Sequence, residues 1–126
     1  MRKLTEAECR YAMEHGEFDK PLISFPAAAI ILTQSWCPQW IMVKGWLAEA
    51  EKRLEAVYPQ GFSICYTEYD IAEWNGLSHE SFMEFKENHF GNQEIPYIRY
   101  YRDGIFIRDS NFINMQGFLA HLGLDA

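Results

Sequence analysis

The cysteines are the residues of this 126-residue chain whose type can support chemistry of its own. There are three of them, Cys9, Cys37 and Cys65, and no two have the C-x-x-C spacing of a dithiol or combine with histidine at zinc-site spacing. Cys37 directly precedes Pro38, a residue favoured at the first position of a helix, and a long amphipathic segment follows. A helix N-terminus favours the thiolate, which is the nucleophilic form of cysteine. The spacing therefore predicts a reactive thiol at Cys37; the alternative is a small apolar residue packed under the helix end.

The other candidate side chains favour structural roles. Cys65 lies in the middle of a predicted strand, where a buried and inert thiol is expected, and Cys9 lies on the first predicted helix. The histidines are scattered, and each is expected at the surface or at a helix end rather than as a metal ligand or a base. They are His15, His79, His89 and His121. No metal site is predicted.

Composition and charge limit the class of protein. Nearly half of the residues are apolar (48%), which is enough for a core without disulfides, and the length predicts one domain, 1–126, with its core at about 28–122. The formal net charge of −7 argues against a general nucleic-acid binder. The longest apolar stretch, residues 22–32, is too short to span a bilayer and contains Pro26. An odd number of distant cysteines and the lack of a signal-peptide pattern predict a reducing, cytoplasmic setting without membrane attachment.

The first half of the chain predicts helix, strand and helix. Thr5-Glu6-Ala7-Glu8 has the form of a capping box and begins a helix that Gly16 can end. After a connector containing prolines, the apolar run 28–33 predicts a strand that is buried on both faces. From Pro38 to Val57 apolar residues recur at three- and four-residue steps, which predicts the longest helix of the chain.

The second half predicts strand, helix, hairpin and helix. Residues 62–69 are rich in strand formers, residues 70–77 form a loop, and Ser78 can cap a helix that runs to about Phe90. Asp103-Gly104 lies between two strand-like runs, 96–101 and 105–108, and indicates a tight hairpin. Asn114 can cap the last helix. The fold class is therefore α/β, with a mixed central sheet and helices on both of its faces.

In this order and spacing the chain resembles the thioredoxin family. A buried strand leads into Trp36-Cys37 at the start of a long helix, and the next strand ends in Tyr69-Asp70. A third helix leads to Ile95-Pro96 before the hairpin, similar to the Ile-Pro of the family. The resemblance covers residues 28–122 and implies the thioredoxin fold. It also implies a cis peptide bond before Pro96 that faces Cys37.

Two departures from the family pattern limit the chemistry that the resemblance implies. The motif reads Trp36-Cys37-Pro38-Gln39-Trp40, so Trp40 occupies the position of the second cysteine of the family. Ile31 occupies the position of the buried aspartate that serves the family as proton acceptor. The chain therefore lacks both the resolving thiol and the usual acid–base group of a dithiol reductase.

Three functions remain open. In the first, Cys37 exchanges disulfides as a monothiol, with a protein or small-thiol partner and with glutathione as a possible co-substrate; no bound cofactor is predicted. In the second, the chain is a redox-inactive binding module. For both, the expected contact surface comprises Trp36, Pro38, Trp40, Ile95 and Pro96. For Trp40 a place in the core is at least as good an interpretation, since it begins the apolar stripe of its helix. The third function is a structural subunit that uses the aromatic hairpin as an interface.

Overall fold

The computed structural model describes residues 1–124 and contains one five-stranded sheet with five helices. The strands are β1 (Arg2–Lys3), β2 (Ala28–Thr33), β3 (Ser63–Glu68), β4 (Tyr97–Arg102) and β5 (Ile105–Ser110). The helices are α1 (Glu6–His15), α2 (Lys20–Ile23), α3 (Pro38–Val57), α4 (His79–His89) and α5 (Met115–His121). The predicted α/β class is confirmed, and residues 125 and 126 of the predicted domain lie outside the described part.

The sheet is mixed, and its strand order is β1-β3-β2-β4-β5. Strands β1, β3 and β2 are parallel, whereas β4 pairs antiparallel with β2 and β5 pairs antiparallel with β4. Thr33 at the end of β2 lies opposite Glu68 at the end of β3. The segments that follow these two parallel strands therefore leave the sheet at the same edge, and they bring Cys37 and Asp70 to one region.

The core lies in two layers, one on each face of the sheet, and β2 contributes to both. Ala29 and Ile31 point into the layer covered by α3 and α5, whereas Ile30 and Leu32 point into the layer covered by α1, α2 and α4. Every residue of β2 is buried, as the apolar run predicts for a strand packed on both faces.

Local signals in the sequence set the ends of the elements. Thr5 and Glu8 form the complete capping box of α1, and Gly16 ends that helix in the left-handed region with φ 77°. Ser78 caps α4. Asp103 and Gly104 both have positive φ (51° and 81°), which is the requirement of the tight hairpin turn that the sequence predicts.

Two short elements were not expected from the sequence. Strand β1 has two residues, too few to show an alternating pattern, and it forms by pairing with Cys65 and Tyr66 at the edge of the sheet. Helix α2 has four residues within the predicted connector, begun by Asp19, whose carboxylate accepts a hydrogen bond from the N–H of Lys20. Within residues 1–124 no helix combines the length and the apolar character needed to cross a bilayer.

Candidate functional site

Cys37 is the N-cap residue of α3, directly before Pro38. Its carbonyl accepts the first hydrogen bond of the helix, from the N–H of Ile41 at 3.1 Å, and Pro38 takes the first helical position. The side chain is 4% exposed, and its Sγ atom lies 3.7 Å from the carbonyl oxygen of Ile95. The structure therefore has Cys37 at a helix N-terminus, as predicted, and beside the segment that precedes Pro96.

The loop before Cys37 is fixed by residues that follow β3. The carboxylate of Asp70 accepts two hydrogen bonds from Ser35, from its backbone N–H at 2.7 Å and from its hydroxyl at 2.6 Å. The side-chain amide of Gln34 donates to the Tyr69 hydroxyl at 3.3 Å and accepts from the indole N–H of Trp36. Through these contacts Tyr69 and Asp70, which directly follow β3, position both Cys37 and the exposed indole of Trp36.

The segment before β4 forms the opposite wall of the site. The Ile95–Pro96 peptide bond is cis; Ile95 is half-buried and Pro96 is buried. The ammonium group of Lys86 on α4 donates to the carbonyl of Glu94 at 2.6 Å, and the side-chain amide of Asn111 donates to the carbonyl of Pro96 at 3.1 Å. Side chains of α4 and of the segment after β5 thus fix the backbone that faces the Cys37 thiol.

Trp40 does not form part of the contact surface, which corrects one prediction. Its side chain is fully buried, lies with Cys37 and Ile31 in the same core layer and packs against the ring of Tyr66 at 5.5 Å. The indole N–H donates to the Glu68 carboxylate at 2.7 Å. Trp40 therefore fills core volume at the position where the thioredoxin pattern has its second cysteine. This agrees with the alternative interpretation, in which Trp40 belongs to the core. Pro96 is likewise too buried to offer more than a small contact.

Trp36 and two neighbouring side chains of α3 form an exposed apolar surface beside the thiol. Trp36 is 63% exposed, Ile41 55% and Met42 60%. Ile41 lies one helical turn after Cys37, and Met42 lies one turn after Pro38, which is also exposed. We call Trp36, Ile41 and Met42 the apolar rim. The sequence analysis identified Trp36 for this surface but not Ile41 or Met42.

Nearby carboxylates contribute to the pKa shifts of two polar groups around the site, Tyr69 and Lys86. Burial raises the pKa of the Tyr69 hydroxyl, the hydrogen bond from Gln34 opposes this increase, and Glu87, Asp70 and Cys37 add to it. Burial lowers the pKa of the Lys86 ammonium group, while Glu87 and Glu94 act in the opposite direction. Asp70, Glu87 and Glu94 therefore lie within electrostatic reach of groups that line or support the Cys37 site.

The remaining thiols lie elsewhere. Cys9 and Cys65 belong to the core layer under α1, α2 and α4, on the other face of the sheet from Cys37, and both are buried. Burial raises the pKa of the Cys9 thiol to about 12, and the charge of Glu8 adds to the increase. All three cysteines are unpaired in the part of the chain that the structure describes. In the same residues no cluster of histidine, cysteine and acidic side chains could hold a metal ion.

The residues that support the site were largely outside the sequence analysis. Tyr69 and Asp70 entered the sequence analysis only as a strand end in the family pattern, and Ser35 did not enter it. All three follow the ends of the neighbouring parallel strands β2 and β3, and that signal could have placed them together. The role of Glu68 as the acceptor for Trp40, and the burial of Lys86, have no sequence signal, because both residue types are usually found at the surface.

Comparison with solved structures identifies the fold. No family model and no curated protein matches the chain. Among solved structures, thioredoxin O2 of Arabidopsis thaliana is similar with a TM-score of 0.56 and 12% identity over 94% of this chain and 88% of that one. Mitochondrial thioredoxin 3 of Saccharomyces cerevisiae has a TM-score of 0.56 and 14% identity over 97% and 92%. The thioredoxin of Fasciola hepatica has a TM-score of 0.55 and 13% identity over 97% and 96%.

The expected fold is thereby confirmed. The chain has a thioredoxin-like fold, with a mixed five-stranded sheet between two layers of helices. Cys37 lies in this fold at the start of the helix that follows the first central strand of the sheet.

Proposed function

We propose that the protein is a monothiol thiol–disulfide exchange protein that acts through Cys37. The observation that carries the proposal is the place of this thiol, at the N-terminus of the longest helix and 3.7 Å from the carbonyl of Ile95. A helix N-terminus favours a thiolate, and the exposed apolar rim beside it offers a surface for a substrate.

The reaction has two exchange steps that balance without a further oxidant. The Cys37 thiolate attacks one sulfur of a substrate disulfide, so that a Cys37–substrate disulfide forms and the other substrate sulfur leaves as a thiolate. Cys9 and Cys65 lie on the opposite face of the sheet, and Trp40 occupies the usual place of a resolving cysteine. An external thiolate such as glutathione therefore attacks the mixed disulfide and releases Cys37 as a thiolate, and the substrate sulfur leaves bonded to glutathione.

The test uses a small neutral disulfide, bis(2-hydroxyethyl) disulfide, and peptide mapping by mass spectrometry. We expect one adduct, on Cys37, that forms at least about tenfold faster than any adduct on Cys9 or Cys65. All three thiols are buried, but only Cys37 lies at the N-terminus of a long helix, which favours the thiolate, and beside the exposed apolar rim. Added glutathione should remove the adduct. The Cys37→Ser variant should keep the fold, judged by circular dichroism, and form no rapid adduct. A folded wild-type protein that forms no adduct on Cys37 would contradict the proposal.

A redox-inactive binding module is the second candidate, and one observation favours it. The Cys37 side chain is only 4% exposed, and its Sγ atom is placed to donate a hydrogen bond to the Ile95 carbonyl, which requires the protonated thiol. In that case the apolar rim would bind a partner whether or not Cys37 is available. A partner that binds the wild type and Cys37→Ser equally, and is never trapped as a mixed disulfide, would support the binding module.

A further inference from the structure

The charge of the chain is concentrated next to the Cys37 site. Residues 68–94, which we call the acidic segment, contain seven carboxylates and one lysine, so they carry −6 of the formal net charge of −7. The lysine, Lys86, is fully buried, whereas Glu73, Glu80, Glu84 and Glu94 are exposed. The surface of the acidic segment is therefore almost entirely anionic.

Three carboxylates of the acidic segment are connected to the site, by a hydrogen bond, by position in the chain or by charge. Asp70 bonds to Ser35, two residues before Cys37. Glu94 directly precedes Ile95, whose carbonyl faces the thiol. Glu87 is next to Lys86, the residue that donates to the Glu94 carbonyl. The charge of Glu87 also raises the pKa of the Tyr69 hydroxyl, as do the charges of Asp70 and Cys37.

The cations near these carboxylates leave the surface anionic. Lys86 interacts with Glu87 and Glu94, but it is fully buried and is already counted in the charge of −6. Lys44 lies on α3, and its ammonium group is 3.4 Å from the carboxylate of Glu68, so this pair is neutral as a unit. Asp70, Glu87 and Glu94 thus lie after β3, on α4 and directly before Ile95, whereas the apolar rim lies on α3 and on Trp36 just before that helix.

We propose that this surface recognises a cationic segment of a partner protein, in which an apolar residue contacts the apolar rim and flanking lysine or arginine residues face Asp70, Glu87 and Glu94. The inference rests on the proposed function, because the partner segment would carry the disulfide that Cys37 attacks. Complementary charge steers a partner to a site and selects against partners of like charge. A nucleic acid or an anionic membrane would be repelled, and so would a second copy of this acidic chain.

The first experiment measures exchange with two synthetic peptides that differ only in charge. One has the sequence acetyl-Lys-Lys-Phe-Cys-Leu-Lys-amide, the other has glutamate in place of each lysine, and each cysteine is blocked as a disulfide with thionitrobenzoate. Attack by Cys37 on the peptide sulfur forms the mixed disulfide and releases coloured thionitrobenzoate, the better leaving group. Rates are divided by the rates of the same peptides with 2-mercaptoethanol. We expect the lysine peptide to react about tenfold faster at low salt, with a smaller ratio at high salt.

Matched variants locate the charge that is responsible. Glu87→Gln with Glu94→Gln removes two carboxylates at the site, and Glu49→Gln with Glu55→Gln removes two carboxylates about 18 Å or more along α3 from Cys37. The first pair should lower the ratio of the two peptide rates about threefold, whereas the second pair should leave it near the wild-type value. Equal rates for the two peptides, or equal effects of the two pairs, would overturn the inference.

A second measurement separates this inference from the proposed function. Fluorescent peptides with alanine in place of cysteine are titrated against Cys37→Ser, and binding is followed by anisotropy. Preferential binding of the lysine peptide supports the inference even if Cys37 proves unreactive. A reactive Cys37 that does not distinguish the peptides would overturn the inference and leave the proposed function intact. Dimerisation of Cys37→Ser through this surface, detected by sedimentation, would also overturn it.

Discussion

At the scale of single residues, Trp40 explains why this site has one thiol. The indole occupies the helix position where a dithiol motif has its second cysteine, and it is fully buried beside Ile31. Its N–H donates to Glu68, which lies at the end of β3 and also contacts Lys44. The volume and the hydrogen bond of Trp40 are thus built into the core, so a single substitution to cysteine would leave a cavity and would remove the shorter of the two contacts of the Glu68 carboxylate.

The hydrogen bond between Trp40 and Glu68 gives a prediction about stability. Trp40→Phe keeps an aromatic ring in the core but removes the donor to the Glu68 carboxylate. We expect the free energy of unfolding to fall by about 1–3 kcal/mol, because the buried Glu68 carboxylate loses its indole donor and keeps only Lys44, and some packing is lost as well. The measurement is urea unfolding followed by far-ultraviolet circular dichroism.

Trp36→Phe is the matched control for this prediction. Trp36 is 63% exposed, so the same chemical change should alter the free energy of unfolding by less than about 0.5 kcal/mol. If the two variants lose the same stability, the hydrogen bond to Glu68 contributes nothing specific and this account of Trp40 is wrong.

Sequence patterns located the central residues of the site but not their supports. The position of Cys37 at a helix start and the exposure of Trp36 before it agree with the sequence patterns, because Pro38 and the apolar repeat that follows are local signals of a helix start. Trp40 is buried because the side of α3 that carries it faces the sheet at the first turn of the helix, and this orientation is set by tertiary packing. The burial of Lys86 depends on a carbonyl eight residues away, which only the folded chain brings within 2.6 Å.

At the scale of elements, the connection from α4 to β4 is fixed by a buried charge. Lys86 is fully buried on α4, and its ammonium group donates to the Glu94 carbonyl and lies 6.0 Å from the centre of the Tyr97 ring. Because the next carbonyl, that of Ile95, faces Cys37, this lysine fixes one wall of the site. Burial of the ammonium group has a cost in stability that depends on pH.

The pH dependence of stability tests the burial of Lys86. Its pKa is lowered in the folded protein, so between that value and the ordinary 10.5 the unfolded chain binds more protons than the folded one. Stability attributable to this group therefore rises with pH across that window and is constant above it. The free energy of unfolding of the wild type, minus that of Lys86→Met, should increase as the pH approaches 10.5.

The difference between the two proteins is the informative quantity, because ionisation of other groups occurs in both and cancels. Urea unfolding at a series of pH values provides it. A constant difference would show that Lys86 has the same pKa in the folded and unfolded protein, and a difference that decreases with pH would show that folding raises its pKa; either result would contradict this account.

The elements themselves were largely predictable, and the exceptions have a common cause. Helices α1, α3 and α4 and the hairpin carry caps, repeats and turn residues in their own sequence. Strand β1 and helix α2 carry few such signals because they have only two and four residues, and they form through contacts with distant parts of the chain. Tertiary contacts, and not a local sequence pattern, therefore determine whether β1 and α2 form.

At the scale of the whole molecule, a buried polar cluster joins the N-terminal part of the chain to the sheet. The guanidinium group of Arg99 on β4 lies between the rings of Phe90 and Phe106, at 3.9 and 4.0 Å from their centres. It donates to Glu17, which follows α1, at 2.8 Å. It also donates to the hydroxyl of Tyr97 at 3.0 Å. Residues far apart in sequence are thus joined by one cation. The Tyr97 hydroxyl in turn donates to the Asp109 carboxylate at 2.9 Å, and this hydrogen bond requires that the tyrosine remain protonated.

Alkaline unfolding tests this cluster. Burial raises the pKa of Tyr97 to about 12, the charge of Arg99 opposes the increase, and the hydrogen bond to Asp109 adds to it. Because the folded value lies above the ordinary value of 10, the contribution of Tyr97 to stability is complete below pH 10 and is lost as the pH rises to about 12. The free energy of unfolding of the wild type, minus that of Tyr97→Phe, should therefore fall by about 2–3 kcal/mol between these pH values. Denaturant unfolding at each pH measures the difference, and ultraviolet absorbance of tyrosinate follows the ionisation itself. A difference that does not change with pH would mean that Tyr97 ionises in the folded protein as readily as in the unfolded chain, and the cluster would then not depend on its proton.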